Sequence, residues 1–158
     1  MMELYFVIKW IHVLSSTILF GFGAGTAWYF WNAHLTRDPA TIASVGRMVV
    51  LADWIFTGTS GVVQPVSGLW LVYIVGYSLT ESWLVATYVL YLLAFACWAP
   101  VVRLQIKAQR LAQAARDSGT PLGAEYYRTM LWWVGLGWPA FLGLLGVFYL
   151  MVAKPALW

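Results

Sequence analysis

The sequence predicts an all-α integral membrane protein: an antiparallel four-helix bundle, its long loops and basic residues cytoplasmic and both termini outside. Three observations predict it. Sixty-two per cent of the 158 residues are hydrophobic and 9% are charged, with a mean hydropathy of +0.76. Soluble domains are about half apolar and about a quarter charged, so a water-soluble fold could not hide this much apolar surface. Four segments reach the roughly 20 apolar residues a helix needs to cross a bilayer core. The basic residues gather on one side of those segments.

The first span is expected over about 4–31, opening "LYFVIKWIHVLSSTILFGFGAG". It lacks the basic start of a secretory leader and exceeds the ~7–15 apolar residues of one, so it reads as a retained helix. A polar loop over 32–48, "NAHLTRDPATIASVGR" and its flank, follows with a turn at Asp38-Pro39. The second span is expected over about 49–77. A tight turn, "GYSLTES", leads to the third, about 82–103. A helical extension over about 104–118 then runs into "SGTP", a breaker. The fourth span covers about 130–152, and the whole chain, 1–158, forms one transmembrane domain.

Direction follows from charge. Arg37 and Arg47 lie in the first long loop, and Arg103, Lys107, Arg110, Arg116 and Arg128 in the second, against Lys9 and Lys154 on the other side. The positive-inside rule puts both long loops in the cytoplasm. The expected location is a bacterial cytoplasmic (inner) membrane, with the lipid bilayer as first partner. The net charge of +3 serves topology, and the sequence carries no nucleic-acid signature. The single cysteine, Cys97, excludes an intrachain disulfide.

Ionisable and polar groups within the spans are the functional candidates. His12 lies about eight residues into the first span, roughly 12 Å from its outer end, with Ser15 and Ser16 nearby. Gly21 and Gly25 form a GxxxG pair suited to a neighbouring backbone or a flat macrocycle. In the second span Asp53, Thr57, Ser60 or Gly61, Gln64 and Gly68 share a face. They read either as a polar seam between helices or as a site; Arg47 is close enough along the chain to pair with Asp53. Pro65 frees a backbone carbonyl near the midplane. Thr87 in the third span lies at a depth close to that of His12. CxxC, HExxH, GxGxxG and P-loop patterns are missing from the sequence. Two histidines and one cysteine at three depths cannot furnish a structural zinc site, which takes about four ligands.

Two segments, "KWIHVLSSTILFGFGAG" and "RMVVLADWIFTGTSGVVQPVSGLWL", resemble a bacterial integral-membrane family, domain of unknown function 2269. The resemblance continues through "CWAPVVRLQIK" to "FYLMVAKP" and implies no activity. More distantly, the pattern is similar to HemJ-type protoporphyrinogen oxidases and CopD-type copper-resistance proteins. Lys9-Trp10-Ile11-His12 matches the HemJ-type K-x-x-H, and Gly68-Leu69-Trp70-Leu71 matches the end of the next helix. That resemblance implies haem b with His12 as its metal ligand; Thr87 stands where those oxidases carry a functional lysine.

The leading expectation is a membrane-embedded b-type haem-binding protein with a redox role resembling the HemJ group. His12, Ser16, Gln64 and Thr87 would hold the cofactor; the catalytic residues stay unassigned. One alternative is a non-enzymatic subunit or assembly factor, docking a copy of itself or another membrane protein. A weaker one is a small transporter or copper-handling protein.

Overall fold

A computed structural model describes residues 2–158, and every regular element among them is helical. Helix α1 spans Met2–Thr36, α2 Pro39–Val75, α3 Ser82–Ser118 and α4 Ala124–Ala153. All four are long and apolar enough to cross a membrane.

The 32–48 stretch departs from expectation. Helix α1 runs on to Thr36 and α2 begins at Pro39, so only Arg37 and Asp38 interrupt them. Arg37 turns the chain with a left-handed φ of 56°. Asp38 caps α2: its carboxylate accepts from the Thr41 amide at 2.8 Å and the Thr41 hydroxyl at 2.6 Å. Pro39 follows at a first-turn position, where its missing N–H costs nothing. The polar residues Arg47 and Ser44 face outward, while Ile42, Ala43, Gly46 and Val49 are buried. Residues 39–48 are thus an amphipathic start to α2, and their polar face explains why they read as a loop by composition.

The other helix ends follow local chemistry. Gly76 and Gly119, at φ 80° and 66°, take the left-handed conformation after α2 and α3. Inside α2, residues Asp53–Gly58 form a π-helical segment. Such wide turns mark functional sites more often than chance.

Neighbouring helices meet in opposite residue order. His12 and Thr26 of α1 meet Ser67 and Asp53 of α2. Trp133 of α4 meets Gln105 of α3, and Ser82 meets the carbonyl of Pro155 beyond α4. The core divides in two. A larger cluster around Phe30, Ile42, Ala108, Tyr126 and Trp133 closes the end near the connections α1–α2 and α3–α4. A smaller one of Val72, Trp83, Leu84 and Leu150 closes the other end. Ala108 and Ala112 of α3 are fully buried within the larger cluster. Exposed Trp, Phe, Leu and Val side chains, such as Trp10, Val62, Leu92 and Leu131, cover the outside, as a lipid-facing surface requires.

Candidate functional site

Between the two cores lies a cavity of about 630 Å³ lined by residues of all four helices. Ligand sites commonly measure about 300–1,000 Å³. Its walls are mainly apolar and aromatic. Trp28, Phe95 and Trp138 line it and are also 66%, 51% and 59% exposed, so the chamber reaches the lateral surface of the bundle.

One carboxylate stands at its wall. Asp53 opens the π segment and is 3% exposed. Its Oδ1 lies 3.1 Å from the Thr26 hydroxyl and 3.1 Å from the Thr57 hydroxyl. Its Oδ2 accepts from Gln105 Nε2 at 2.7 Å. Gln105 Oε1 in turn accepts from Trp133 Nε1 at 3.0 Å. An indole nitrogen only donates, so Trp133 fixes the amide orientation and turns the Gln105 NH₂ toward Asp53. The expected Arg47–Asp53 pair does not form: among the described residues Asp53 has only neutral partners, and Arg47 is exposed.

Elsewhere on the chamber wall, Tyr91 donates its hydroxyl to the Gly61 carbonyl at 2.5 Å. Gly61 lies four residues before Pro65, which has no N–H to offer it. The proline therefore creates an acceptor, and α3 supplies its donor. The Tyr88 hydroxyl, one turn earlier on α3, is by contrast buried without a partner among the described residues.

His12, Ser16, Gln64 and Thr87, the residues expected to hold a cofactor, do not line the chamber. His12 and Gln64 do meet: Gln64 Nε2 donates to the His12 carbonyl at 2.7 Å and to Ser15 Oγ at 2.5 Å. His12 Nδ1 is 2.8 Å from Ser67 Oγ, whose hydroxyl has the Val63 carbonyl oxygen 2.6 Å away as an acceptor. With the hydroxyl proton on Val63, the ring donates from Nδ1 and keeps a lone pair at Nε2. Gly68 permits the contact, since a Cβ there would lie 3.1 Å from His12 Cε1. Ser16 only donates to its own helix at the Val13 carbonyl, 2.7 Å, and Thr87 to the Trp83 carbonyl, 2.8 Å. Among the described residues neither hydrogen-bonds His12.

The features a haem would use are divided between two places. The imidazole chemistry suits a ligand, but a macrocycle needs a flat space beside it. His12 lines neither the central chamber nor the shallow apolar groove around Val89 and Tyr149. The chamber that has the space offers a carboxylate, an amide and hydroxyls, and no imidazole or sulfur. Among the described residues no three His, Cys, Asp or Glu side chains gather into a metal site.

Asp53 and Thr57 stand on the polar face read from the sequence, but Thr26, Tyr91, Gln105 and Trp133 escaped that reading. Gln105 carried a signal, an amide set among apolar residues in "VVRLQIK". Thr26, which also bonds its own helix, carried none.

Comparison with known proteins agrees on class. Residues 6–155 match the family described as predicted integral membrane protein (DUF2269), and the chain belongs to that family. No curated protein and no solved structure matches the chain. The likeness to HemJ-type and CopD-type proteins therefore gains no support from these comparisons.

Proposed function

We propose that this DUF2269 member is a multi-pass bundle of the bacterial cytoplasmic membrane that binds a hydrophobic small molecule in its central chamber. The ligand enters sideways from the bilayer. One observation carries the reading: an apolar chamber that opens laterally and holds a single buried carboxylate. Buried polar groups at membrane depth are expensive and persist where they serve a function. The antiparallel order and cytoplasmic loops are part of this proposal. Opposite residue order at helix contacts and the charge asymmetry support them.

The test fills the chamber. A Cβ at Gly23, which lines it, would meet no atom within 4 Å, so Gly23→Phe places a ring in open space. Calorimetric titration of detergent-solubilised protein with triphenylphosphine oxide, a neutral aromatic probe, should show saturable binding in the native protein. Gly23→Phe should lose it. Equal binding to both, or none to either, overturns the reading.

Haem b on His12 is the competing proposal, favoured by the lone pair left at Nε2. A visible absorption spectrum of protein expressed with supplied haem separates the two. The chamber reading predicts no Soret band. Docking of a second membrane helix is a further reading, favoured by Gly21 and Gly25: a Cβ at either would meet nothing within 4 Å. Native mass spectrometry of the oligomeric state tests it.

A further inference from the structure

The shell around Asp53 is built for two charge states. Thr57 and Gln105 present donors to it at 3.1 and 2.7 Å. Thr26 is different. Its hydroxyl is 3.1 Å from Asp53 Oδ1 and 2.7 Å from the Phe22 carbonyl, and it has one proton to give. With Asp53 ionised, Thr26 donates to the carboxylate, which then accepts three hydrogen bonds. With Asp53 protonated, the carboxyl donates to Thr26, and Thr26 donates to Phe22. Every group keeps a partner in both states, at the cost of one hydroxyl rotation.

The ionised state leaves a buried negative charge with no cationic side chain among the described residues bonded to it or lining the chamber. Thr26, Thr57, Gln105 and Trp133 are neutral, and the chamber lining contains no Lys, Arg or His; Tyr91 is its only other titratable group. An uncompensated charge out of water is costly unless it is paired or protonated. The missing positive charge is therefore the occupant's or a proton. The walls indicate which cation. A single carboxylate cannot build the six to eight oxygen ligands of a hard metal ion. Indole and phenyl rings of Trp28, Trp98, Trp138, Phe20 and Phe141 line the rest, and aromatic faces attract organic cations.

We propose that the chamber takes a monovalent lipophilic cation, an aryl or alkyl onium ion, with Asp53 as counter-ion, in exchange for the proton Asp53 carries when the chamber is without it. One proton leaves the carboxyl as one cation arrives, so the site's net charge is unchanged. The inference rests on the ligand-chamber reading above.

The probes are tetraphenylphosphonium, a cation, and triphenylphosphine oxide, its neutral relative, titrated calorimetrically into the full-length protein. Tetraphenylphosphonium should bind more weakly as pH falls, by up to about tenfold per unit once Asp53 is protonated. The neutral probe should be indifferent to pH. Asp53→Asn, which keeps the shape but holds no charge, should weaken the cation at least tenfold, abolish the pH dependence and spare the neutral probe. The pH series on native protein needs no variant, so it decides the matter even if Asp53→Asn does not fold. Equal, pH-independent binding of both probes overturns the cation inference and leaves the chamber standing. Binding of neither removes the chamber reading and this inference together.

Discussion

Thr26 and Asp53, on different helices and 27 positions apart, share one proton's worth of ambiguity. The threonine hydroxyl lies 3.1 Å from the carboxylate and 2.7 Å from a carbonyl of its own helix. Replacing Thr26 by Val, nearly its equal in shape, removes one of three donors from the ionised carboxylate and the Thr26 acceptor from the protonated carboxyl. Leaving a buried polar group unpaired costs about 1–3 kcal/mol. Thr26→Val should therefore lower the thermal midpoint in detergent, and Thr26→Ser should restore most of it. Equal midpoints for all three proteins would remove this contact from the account.

Tyr91 and Pro65 form a second interdependent pair. Tyr91→Phe strands the Gly61 carbonyl and should destabilise by about 1–3 kcal/mol. Pro65→Ala restores a backbone donor to that carbonyl. In the Pro65→Ala background the tyrosine hydroxyl should matter less, which a double-mutant cycle on thermal midpoints measures. Strict additivity would contradict the assignment.

Glycines that look alike in the sequence should behave in opposite ways. Gly25 has open space where a Cβ would go, so Gly25→Ala should be neutral or stabilise by up to about 1 kcal/mol through backbone entropy. At Gly68 the added Cβ would lie 3.1 Å from His12 Cε1 and push the ring off Ser67. Overpacking of that kind costs about 1–3 kcal/mol. Paired melting curves check the contrast.

Asp38 gives the pH signature of the α1–α2 turn. Hydrogen bonds from the Thr41 hydroxyl, then the Thr41 and Ala40 amides, hold its carboxyl below the usual range. A carboxyl depressed by folding adds stability above its unfolded value, about 3.9, and that contribution is lost as pH falls through the lower folded value. Melting curves taken from pH 6 downward should show Asp38→Asn losing less stability than the native protein below about pH 4. Parallel acid limbs would argue that the cap contributes nothing.

The legible part of this protein was what composition and local chemistry encode. Four long apolar runs gave four long apolar helices, and Asp38-Pro39 and Gly119 marked turns through capping and left-handed backbone. Residues 39–48 were misread because an amphipathic helix at a bundle's end is polar on one face, which mean polarity cannot distinguish from a loop. The π segment follows from no local signal. The Asp53 shell was half legible: Asp53 and Thr57 share a turn, whereas Thr26, Gln105 and Trp133 arrive from three other helices. His12 stands out as the ionisable ring of an apolar helix, and it meets Ser67 and Gly68 outside the lining of the chamber.

Native mass spectrometry of gently extracted protein tests the chamber most directly. Native and Gly23→Phe proteins would be compared for small molecules retained after collisional removal of detergent and peripheral lipid. A hydrophobic adduct held by the native protein and missing from Gly23→Phe is the predicted result. Identical adduct patterns in the two proteins would contradict the account.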